Sequence, residues 1–267
     1  MTIFDALALG IVQGIAEFLP ISSTGHLILL RDVLHVTGGH GLAVDAVLHL
    51  ATAGAILLYF WKDWLALAVG AWRWVSGGEV AREQKTLLKV LVVGSIPAVL
   101  LGLILESFME TVFRSSILVA LVLVGGSVLF VAAEWLGKKH AAKVALSLPR
   151  GVALGLFQAL ALVPGMSRSG AVISGGLMLG FSRESAARIA FLLGFPLMLG
   201  AGAKKLLELE GSALLPGEWM AIGVAAATAF LVGMLAIHYL LKFLRHHTLL
   251  VFAVYRIVLA VVVLALV

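Results

Sequence analysis

The sequence is poor in charge and has no cysteine. Asp, Glu, Lys and Arg make up only 12% of its 267 residues, whereas a soluble domain carries roughly 25%. Without cysteine the chain cannot form disulfides, cysteine-ligated iron–sulfur clusters or a thiol nucleophile. Hydrophobic residues instead reach 62%, and the mean hydropathy is +1.12. No polar stretch is long enough for a second domain, so a single membrane domain, residues 1–267, is predicted.

Apolar runs of about 20 residues, the length that crosses a hydrocarbon core, recur along the chain. Two further apolar stretches, 3–36 and 151–181, are interrupted, the first at Pro20–Gly25 and the second at Pro164–Gly170. Proline ends a helix and Ser or Thr caps the next one, so each stretch is predicted to be a re-entrant hairpin of two half-helices. The fold class is therefore all-α, with six transmembrane helices and two re-entrant hairpins. The six runs are residues 42–61, 86–106, 115–136, 185–207, 218–241 and 248–267.

The basic residues indicate the orientation of these runs. Lys and Arg concentrate in the loops 62–89, 138–150 and 242–247, whereas the turns between them are richer in acid. The positive-inside rule places the basic loops in the cytoplasm. A net charge of +5 distributed in this way does not indicate nucleic-acid binding. The acidic residues of the outer turns are Glu106, Glu110, Glu208, Glu210 and Glu218.

With this orientation the two broken stretches enter from opposite sides, and three crossings follow each of them. That is an inverted-topology repeat, about 1–137 and about 150–267, an architecture with its site near the midplane where broken helices meet. The reactive residues Glu17, Ser23 and His26 of the first copy are not repeated in the second. At an offset of 145 the identical pairs are Gly10 with Gly155, Gln13 with Gln158, Ala16 with Ala161, Ser22 with Ser167, and Gly25 with Gly170.

Gln13 and Glu17 are four residues apart and share a helix face with Gly10 and Gly14. The glycines alone would indicate close helix packing. The Gln13 amide can equally form a hydrogen bond to a neighbouring helix. An ionised carboxylate inside an apolar segment is costly and marks a functional site. Glu17 is therefore a predicted site residue.

The first break supplies hydroxyls and an imidazole. Capping of the second half-helix explains one of Ser22, Ser23 and Thr24, and a paired serine can also be a nucleophile. His26 follows one turn later and is predicted to face the same cavity. A histidine can pass protons near neutral pH, although a packing role is the alternative for a lone histidine.

The second break, Ser167-Arg168-Ser169, predicts an anion site. The planar guanidinium matches phosphate oxygens, and a helix N-terminus adds free N–H groups. Snorkelling of Arg168 to the headgroups is the alternative, and the Pro-Gly break argues against it. An acid, an imidazole, a guanidinium and hydroxyls suit phosphoryl transfer, and a site in the membrane implies a lipid-linked substrate.

At these residues the sequence closely resembles the undecaprenyl-diphosphate phosphatase family of the bacitracin-resistance type. A Glu-or-Gln, three residues, Glu motif is present as Gln13 and Glu17, a Pro-Gly-x-Ser-Arg-Ser motif as 164–169, and an SSTGH stretch at 22–26. The resemblance implies hydrolysis of undecaprenyl diphosphate to the monophosphate carrier of peptidoglycan synthesis. It also implies dependence on a divalent cation and a site facing the periplasmic side of the bacterial cytoplasmic membrane. The positions that the family treats as essential are Glu17, Ser23, His26 and Arg168, with Ser23 as a proposed nucleophile.

Two residues depart from the family pattern. Gln13 is the amide option of the first motif, so it can neither act as a base nor bring charge to a metal. Val172 stands where the family commonly has Thr.

The resulting hypothesis is that Arg168 clamps the diphosphate and that Glu17, helped by Gln13, holds Mg²⁺ or Ca²⁺. Ser23 or a water attacks, and His26 exchanges the proton. A lipid-carrier flippase or transporter on the same scaffold is the alternative, and a homodimer stays open. The predicted substrate-binding residues are Gln13, Ser22, Thr24, Gly165, Ser167 and Ser169.

Overall fold

The computed structural model describes residues 1–32, 41–105, 115–139, 144–208 and 216–266, and within these ranges all regular secondary structure is helical. A short 3₁₀ turn, Leu160–Leu162, follows the seventh helix. Glu106, Glu110 and Glu210, three of the acidic residues of the predicted outer turns, lie outside the described residues. The helices are α1 Ile3–Ala16, α2 Ser23–Asp32, α3 Gly41–Tyr59, α4 Trp61–Val75, α5 Arg82–Ile104, α6 Ser116–Lys139, α7 Leu148–Ala159, α8 Arg168–Met178, α9 Arg183–Glu208, α10 Pro216–Leu244 and α11 Leu250–Leu266.

Four helices, α5, α6, α9 and α10, are long and apolar enough to cross a membrane, and α3 with α4 forms a fifth candidate if the pair counts as one span. The prediction of an all-helical, multi-pass membrane protein is therefore confirmed. The last predicted run is α11, which has 17 residues and is shorter than the others. The count of six crossings stays a prediction.

The interpretation of residues 62–89 as a loop is wrong for all but residues 76–81, because a helix covers 62–75 and α5 begins at Arg82. α4 occupies Trp61–Val75, and its axis is bent by 81° from that of α3. This segment carries Lys62, Asp63 and Arg73 among tryptophans and aliphatic residues. The charges of this segment therefore belong to an amphipathic helix and not to a loop.

Both predicted helix breaks are present. α1 begins with a capping box, in which the Asp5 N–H donates to Thr2 Oγ1 (3.1 Å) and the Thr2 N–H donates to Asp5 Oδ2 (3.0 Å). It ends before Pro20, and α2 starts at Ser23; the second break separates the 3₁₀ turn from α8. Residues 169–177 of α8 are all buried, so the second break lies against the interior of the protein.

Glycines bring each of the two breaks' first half-helices against a long helix. A Cβ at Gly10 would lie 2.6 Å from the carbonyl oxygen of Ala225 on α10, and Gly14 packs on the same helix. In the second half, Gly151 and Gly155 face α5, and Gly155 meets the backbone of Gly94. The close packing that the small residues indicated is confirmed for α1.

Candidate functional site

Both breaks have the same unusual backbone. Ser22 (φ +74°) and Ser167 (φ +69°) are the two non-glycine residues with positive φ in the described part of the chain. The Gly25 N–H donates to Ser22 Oγ (3.4 Å), and the Gly170 N–H donates to Ser167 Oγ (3.3 Å). Such backbone costs about 1–3 kcal/mol per residue and occurs at functional sites. The expectation that one hydroxyl of the first break caps α2 is confirmed, and the residue is Ser22.

Glu17 and Arg168 connect the two breaks. Arg168 Nη2 donates to Glu17 Oε1 at 2.7 Å, and Arg168 Nη1 donates to the Gly194 carbonyl at 3.0 Å. Gln13 Nε2 donates to the second oxygen, Glu17 Oε2, at 3.0 Å. The side chains of Arg168 and Glu17 are only 15% and 7% exposed. An acid from one broken helix and a guanidinium from the other thus meet as one buried pair.

Ser23 belongs to the same cluster. Its side chain lies beside the Glu17 carboxylate, whereas Thr24 is exposed. Ser167 Oγ lies 3.3 Å from Ser169 Oγ at the start of α8. Ser23 is therefore the hydroxyl of the first break that lies beside the central acid.

His26 faces a residue that the sequence did not indicate. Its Nδ1 lies 2.7 Å from the Ser22 carbonyl, its Nε2 lies 2.6 Å from the Tyr255 hydroxyl, and the His26 and Tyr255 rings are parallel within 1°. A carbonyl can only accept, so Nδ1 carries the proton, and in the neutral ring Nε2 accepts from the Tyr255 O–H. The imidazole thus joins α2 to α11.

His49 on α3 is a second residue near the site that the sequence analysis did not predict. Its Nδ1 lies 3.8 Å from Glu17 Oε2, and its side chain is 33% exposed. It lies within an apolar run that indicates a transmembrane helix and gives no sign of a functional site. Its sequence signal is an Asp45–His49 pair at i, i+4, the spacing that drew attention to Gln13 and Glu17.

Arg256 is the third residue missed. It is fully buried, and its guanidinium donates to the carbonyls of Gly165 (2.9 Å) and Met166 (2.8 Å), directly before Ser167. Two more carbonyls, of Val122 and Leu123 on α6, accept weaker hydrogen bonds of 3.4 and 3.3 Å. Its signal was a lone ionisable residue in an otherwise apolar helix, the criterion that identified Glu17.

The surroundings of Gly165 and Val172 indicate that both residues serve packing. Gly165 adopts φ +98° and lies against the backbone of Val119, where a Cβ would not fit. Val172 is fully buried and belongs to the main hydrophobic core.

Comparisons with known proteins agree over the whole chain. A family model described as bacitracin resistance protein BacA matches residues 6–262. A Moorella thermoacetica protein named undecaprenyl-diphosphatase is 40% identical over 266 residues, which cover 99% of this chain and 98% of the relative. Proteins of the same name from Pelotomaculum thermopropionicum (40% identity; 99% and 97% covered) and Chlorobium phaeovibrioides (36%; 100% and 97%) are similar along their length. These names give no support to the flippase alternative.

Proposed function

The chain belongs to the bacitracin resistance protein BacA family, and on that premise we propose that it hydrolyses undecaprenyl diphosphate to undecaprenyl phosphate and inorganic phosphate. The product is the lipid carrier used in cell-wall synthesis. The observation that carries this proposal is the buried Glu17–Arg168 pair, which joins the two helix breaks. The half-helices that follow the breaks, α2 and α8, have N-termini suited to binding anions. A membrane-embedded anion site with an adjacent hydroxyl suits a substrate with a diphosphate head and a prenyl tail.

Release of inorganic phosphate from a prenyl diphosphate by the purified protein in detergent tests this function. Wild-type protein should release one phosphate per substrate and leave the prenyl monophosphate. Absence of phosphate release from folded protein, or release of diphosphate with a free prenol, would refute the proposed reaction.

Arg168 is the proposed phosphate clamp. Its Nη1 is already held by Gly194, so the fork is oriented before substrate arrives. Phosphate oxygens would take the place of Glu17 at Nη2 and would also accept from free N–H groups in the first turns of α2 and α8. In phosphoryl transfer, positioning and charge stabilisation of this kind supply most of the catalysis.

We propose that a divalent cation, Mg²⁺ or Ca²⁺, binds together with the diphosphate. Glu17 offers a carboxylate, and Gln13 offers its Oε1, a fully buried amide oxygen without a hydrogen-bond partner in the described residues. Hard cations take such oxygen ligands and share phosphate oxygens. The described residues contain no cluster of three or more His, Asp and Glu arranged to hold a metal ion, so substrate and water would complete the shell. A bound cation would offset charge on the phosphate oxygens.

Ser23 is the proposed nucleophile, and Glu17 is the group placed to receive its proton. The Ser23 Oγ–phosphorus bond forms while the bond to the bridging oxygen breaks, so undecaprenyl phosphate leaves. Water then attacks the phosphorus, the Ser23 Oγ–phosphorus bond breaks, Glu17 returns its proton to the serine oxygen, and inorganic phosphate leaves. His26, with Tyr255 at its Nε2, passes the proton released by the attacking water to solvent. Because Ser22 supplies the cap, capping no longer explains Ser23.

Ser23→Ala should abolish turnover, because it removes the proposed nucleophile. Mass spectrometry of rapidly quenched wild-type enzyme should find phosphate on the peptide containing Ser23. The matched control is Ser95→Ala on α5, whose hydroxyl donates within its own helix to the Leu91 carbonyl, and its rate should stay within about twofold of wild type. Appreciable turnover in Ser23→Ala without a phosphopeptide would instead establish attack by water.

We further propose that the six crossings and two re-entrant hairpins form an inverted repeat, with the site open to the periplasmic side of the cytoplasmic membrane. Two observations support the repeat. α1 packs on α10 as α7 packs on α5, each through glycines, and the paired residues Ser22 and Ser167 share one backbone conformation and one cap. The positive-inside distribution supports the orientation.

Introduced cysteines test the orientation, since the chain has no native one. Ser76→Cys, at the exposed end of α4, should resist an impermeant thiol reagent in intact cells and react after permeabilisation. Ser115→Cys, exposed before α6, should react in intact cells. Ser212 is a second outward position and lies outside the described residues. The reverse labelling pattern would place the site on the cytoplasmic side.

A further inference from the structure

α4 has the composition of a helix that lies in the membrane interface. Four of the six tryptophans of the chain are on this one helix, and Trp61 (52%) and Trp72 (74%) are largely exposed. Tryptophan is enriched where hydrocarbon meets headgroups. The bend of 81° between α3 and α4 turns the helix across the direction of the preceding span. α4 is therefore positioned to contact phospholipid headgroups and the upper part of their chains.

A groove of about 430 Å³ runs between α4 and the start of α5. Its middle is apolar, with Leu65, Ala66 and Val69 along one face of α4. Gln84 of α5 closes its floor, because the Gln84 amide lies over Gly70 and donates to the Ala66 carbonyl. The groove is thus a built feature of two helices, and its apolar face is exposed to the surroundings of the protein.

Two cations line this groove without a carboxylate. Lys62 and Arg73 are both exposed lining residues, and neither forms an ion pair in the described part of the chain. The nearest acid in sequence, Asp63, is paired with Arg188 of α9. Eleven residues separate the two cations along α4, about 16 Å at 1.5 Å per residue, so they flank the apolar middle. The groove therefore combines positive charge at its ends with apolar surface between them.

We propose that this groove binds an anionic phospholipid of the surrounding membrane, with its phosphate at Lys62 or Arg73 and its acyl chain against Leu65 and Val69. Charge complementarity selects a lipid with a net negative headgroup over a zwitterionic one, because a zwitterion brings its own cation to a site that already has two. Basic residues next to membrane segments attract anionic lipid in this way. The inference rests on the membrane embedding of the chain and is independent of the phosphatase chemistry.

Native mass spectrometry of the full chain, released from detergent containing equal amounts of phosphatidylglycerol and phosphatidylethanolamine with identical acyl chains, tests the proposal. Wild-type protein should retain phosphatidylglycerol preferentially. The double variant Lys62→Ala/Arg73→Ala should lose the preference by about fivefold for each cation removed. The matched control Arg82→Ala/Lys85→Ala removes two cations from the start of α5, outside the groove lining, and should keep the wild-type preference.

A second pair of variants keeps both cations and changes only the side-chain volume on α4, inside or outside the groove. Ala66→Phe fills the groove and should reduce the retained phosphatidylglycerol, whereas Ala68→Phe, at an exposed position of α4 outside the lining, should not. This pair decides the question if the double alanine variant does not fold. Equal lipid retention by wild type, Lys62→Ala/Arg73→Ala and Ala66→Phe would overturn the proposal. So would an equal loss in the Arg82→Ala/Lys85→Ala control, because general surface charge would then explain the preference.

Discussion

Replacing Arg168 with lysine is expected to lower the turnover of undecaprenyl diphosphate at least about tenfold, which corresponds to about 1.4 kcal/mol of barrier. Lysine keeps the positive charge. The guanidinium, however, reaches the Gly194 carbonyl with one nitrogen and Glu17 with another, and a single ammonium cannot reproduce that fork. The loss should appear mainly in kcat, because orientation of the transferred phosphoryl group depends on the fork.

The matched control is Arg188→Lys, also on a long membrane helix. Arg188 is about half exposed and pairs with Asp63, away from the helix breaks. Exposed pairs contribute little, so its turnover should stay within about twofold of wild type. Wild-type turnover in folded Arg168→Lys would contradict the clamp and leave Arg168 as a headgroup anchor.

Glu17 and Arg168 could be predicted as site residues from sequence, because an ionisable residue in an apolar segment has few explanations. Their direct ion pair was not predicted. The breaks were equally visible, since Pro20 and Pro164 interrupt long apolar runs. The capping residue could be narrowed only to a group of three hydroxyls. The choice of Ser22 depends on a positive φ that no local propensity favours.

Contacts between distant segments could not be predicted in the same way. His26 and Tyr255 are 229 residues apart, and Arg256 and Gly165 are 91 apart. Both contacts depend on how α11 packs against the breaks, and no spacing within one helix encodes that. α4 was not predicted for a different reason, because a cluster of Lys and Arg between two apolar runs is also typical of a cytoplasmic loop.

The two halves of the chain share a scaffold and differ in chemistry. Gln13 donates to Glu17, whereas its repeat partner Gln158 is fully buried and has no hydrogen-bond partner among the described residues. At the position that corresponds to Glu17 the second half has Leu162. A buried amide without a partner is costly. The first half of the chain thus supplies the acid of the site, Glu17, and the second half supplies the cation, Arg168.

Tyr255 and Arg256 give α11 an unusual position, since adjacent residues of one helix contact both breaks. Tyr255 meets His26 of the first break, and Arg256 holds the carbonyls of Gly165 and Met166 in the second. Without the guanidinium, these carbonyls would lose their charged donor in a buried place, and such groups cost about 1–3 kcal/mol each when left unpaired. Arg256 is thus a positioning residue for Arg168, two residues beyond Met166.

Gly126→Ala on α6 should lower turnover at least about tenfold without touching the residues of the site. A Cβ at Gly126 would collide with the Arg256 guanidinium, which also lies over the Phe130 ring at 4.9 Å, so the guanidinium would have to leave its carbonyl partners. Gly125→Ala is the matched control, because a Cβ there meets nothing within 4 Å. It should keep wild-type turnover and stability, since alanine even favours the helix by about 1 kcal/mol.

Arg256→Lys separates positioning from bulk stability. An ammonium can replace the charge but cannot span carbonyls on two segments, so this variant should keep most of the thermal stability of wild type and lose kcat. A merely structural role predicts the opposite coupling, in which kcat of the folded fraction is unchanged and only the melting temperature falls. Measuring kcat, KM and thermal unfolding for Gly126→Ala, Gly125→Ala and Arg256→Lys distinguishes these outcomes. If Gly126→Ala and Gly125→Ala behaved alike in kcat, the loop that presents Arg168 would not depend on the Arg256 guanidinium.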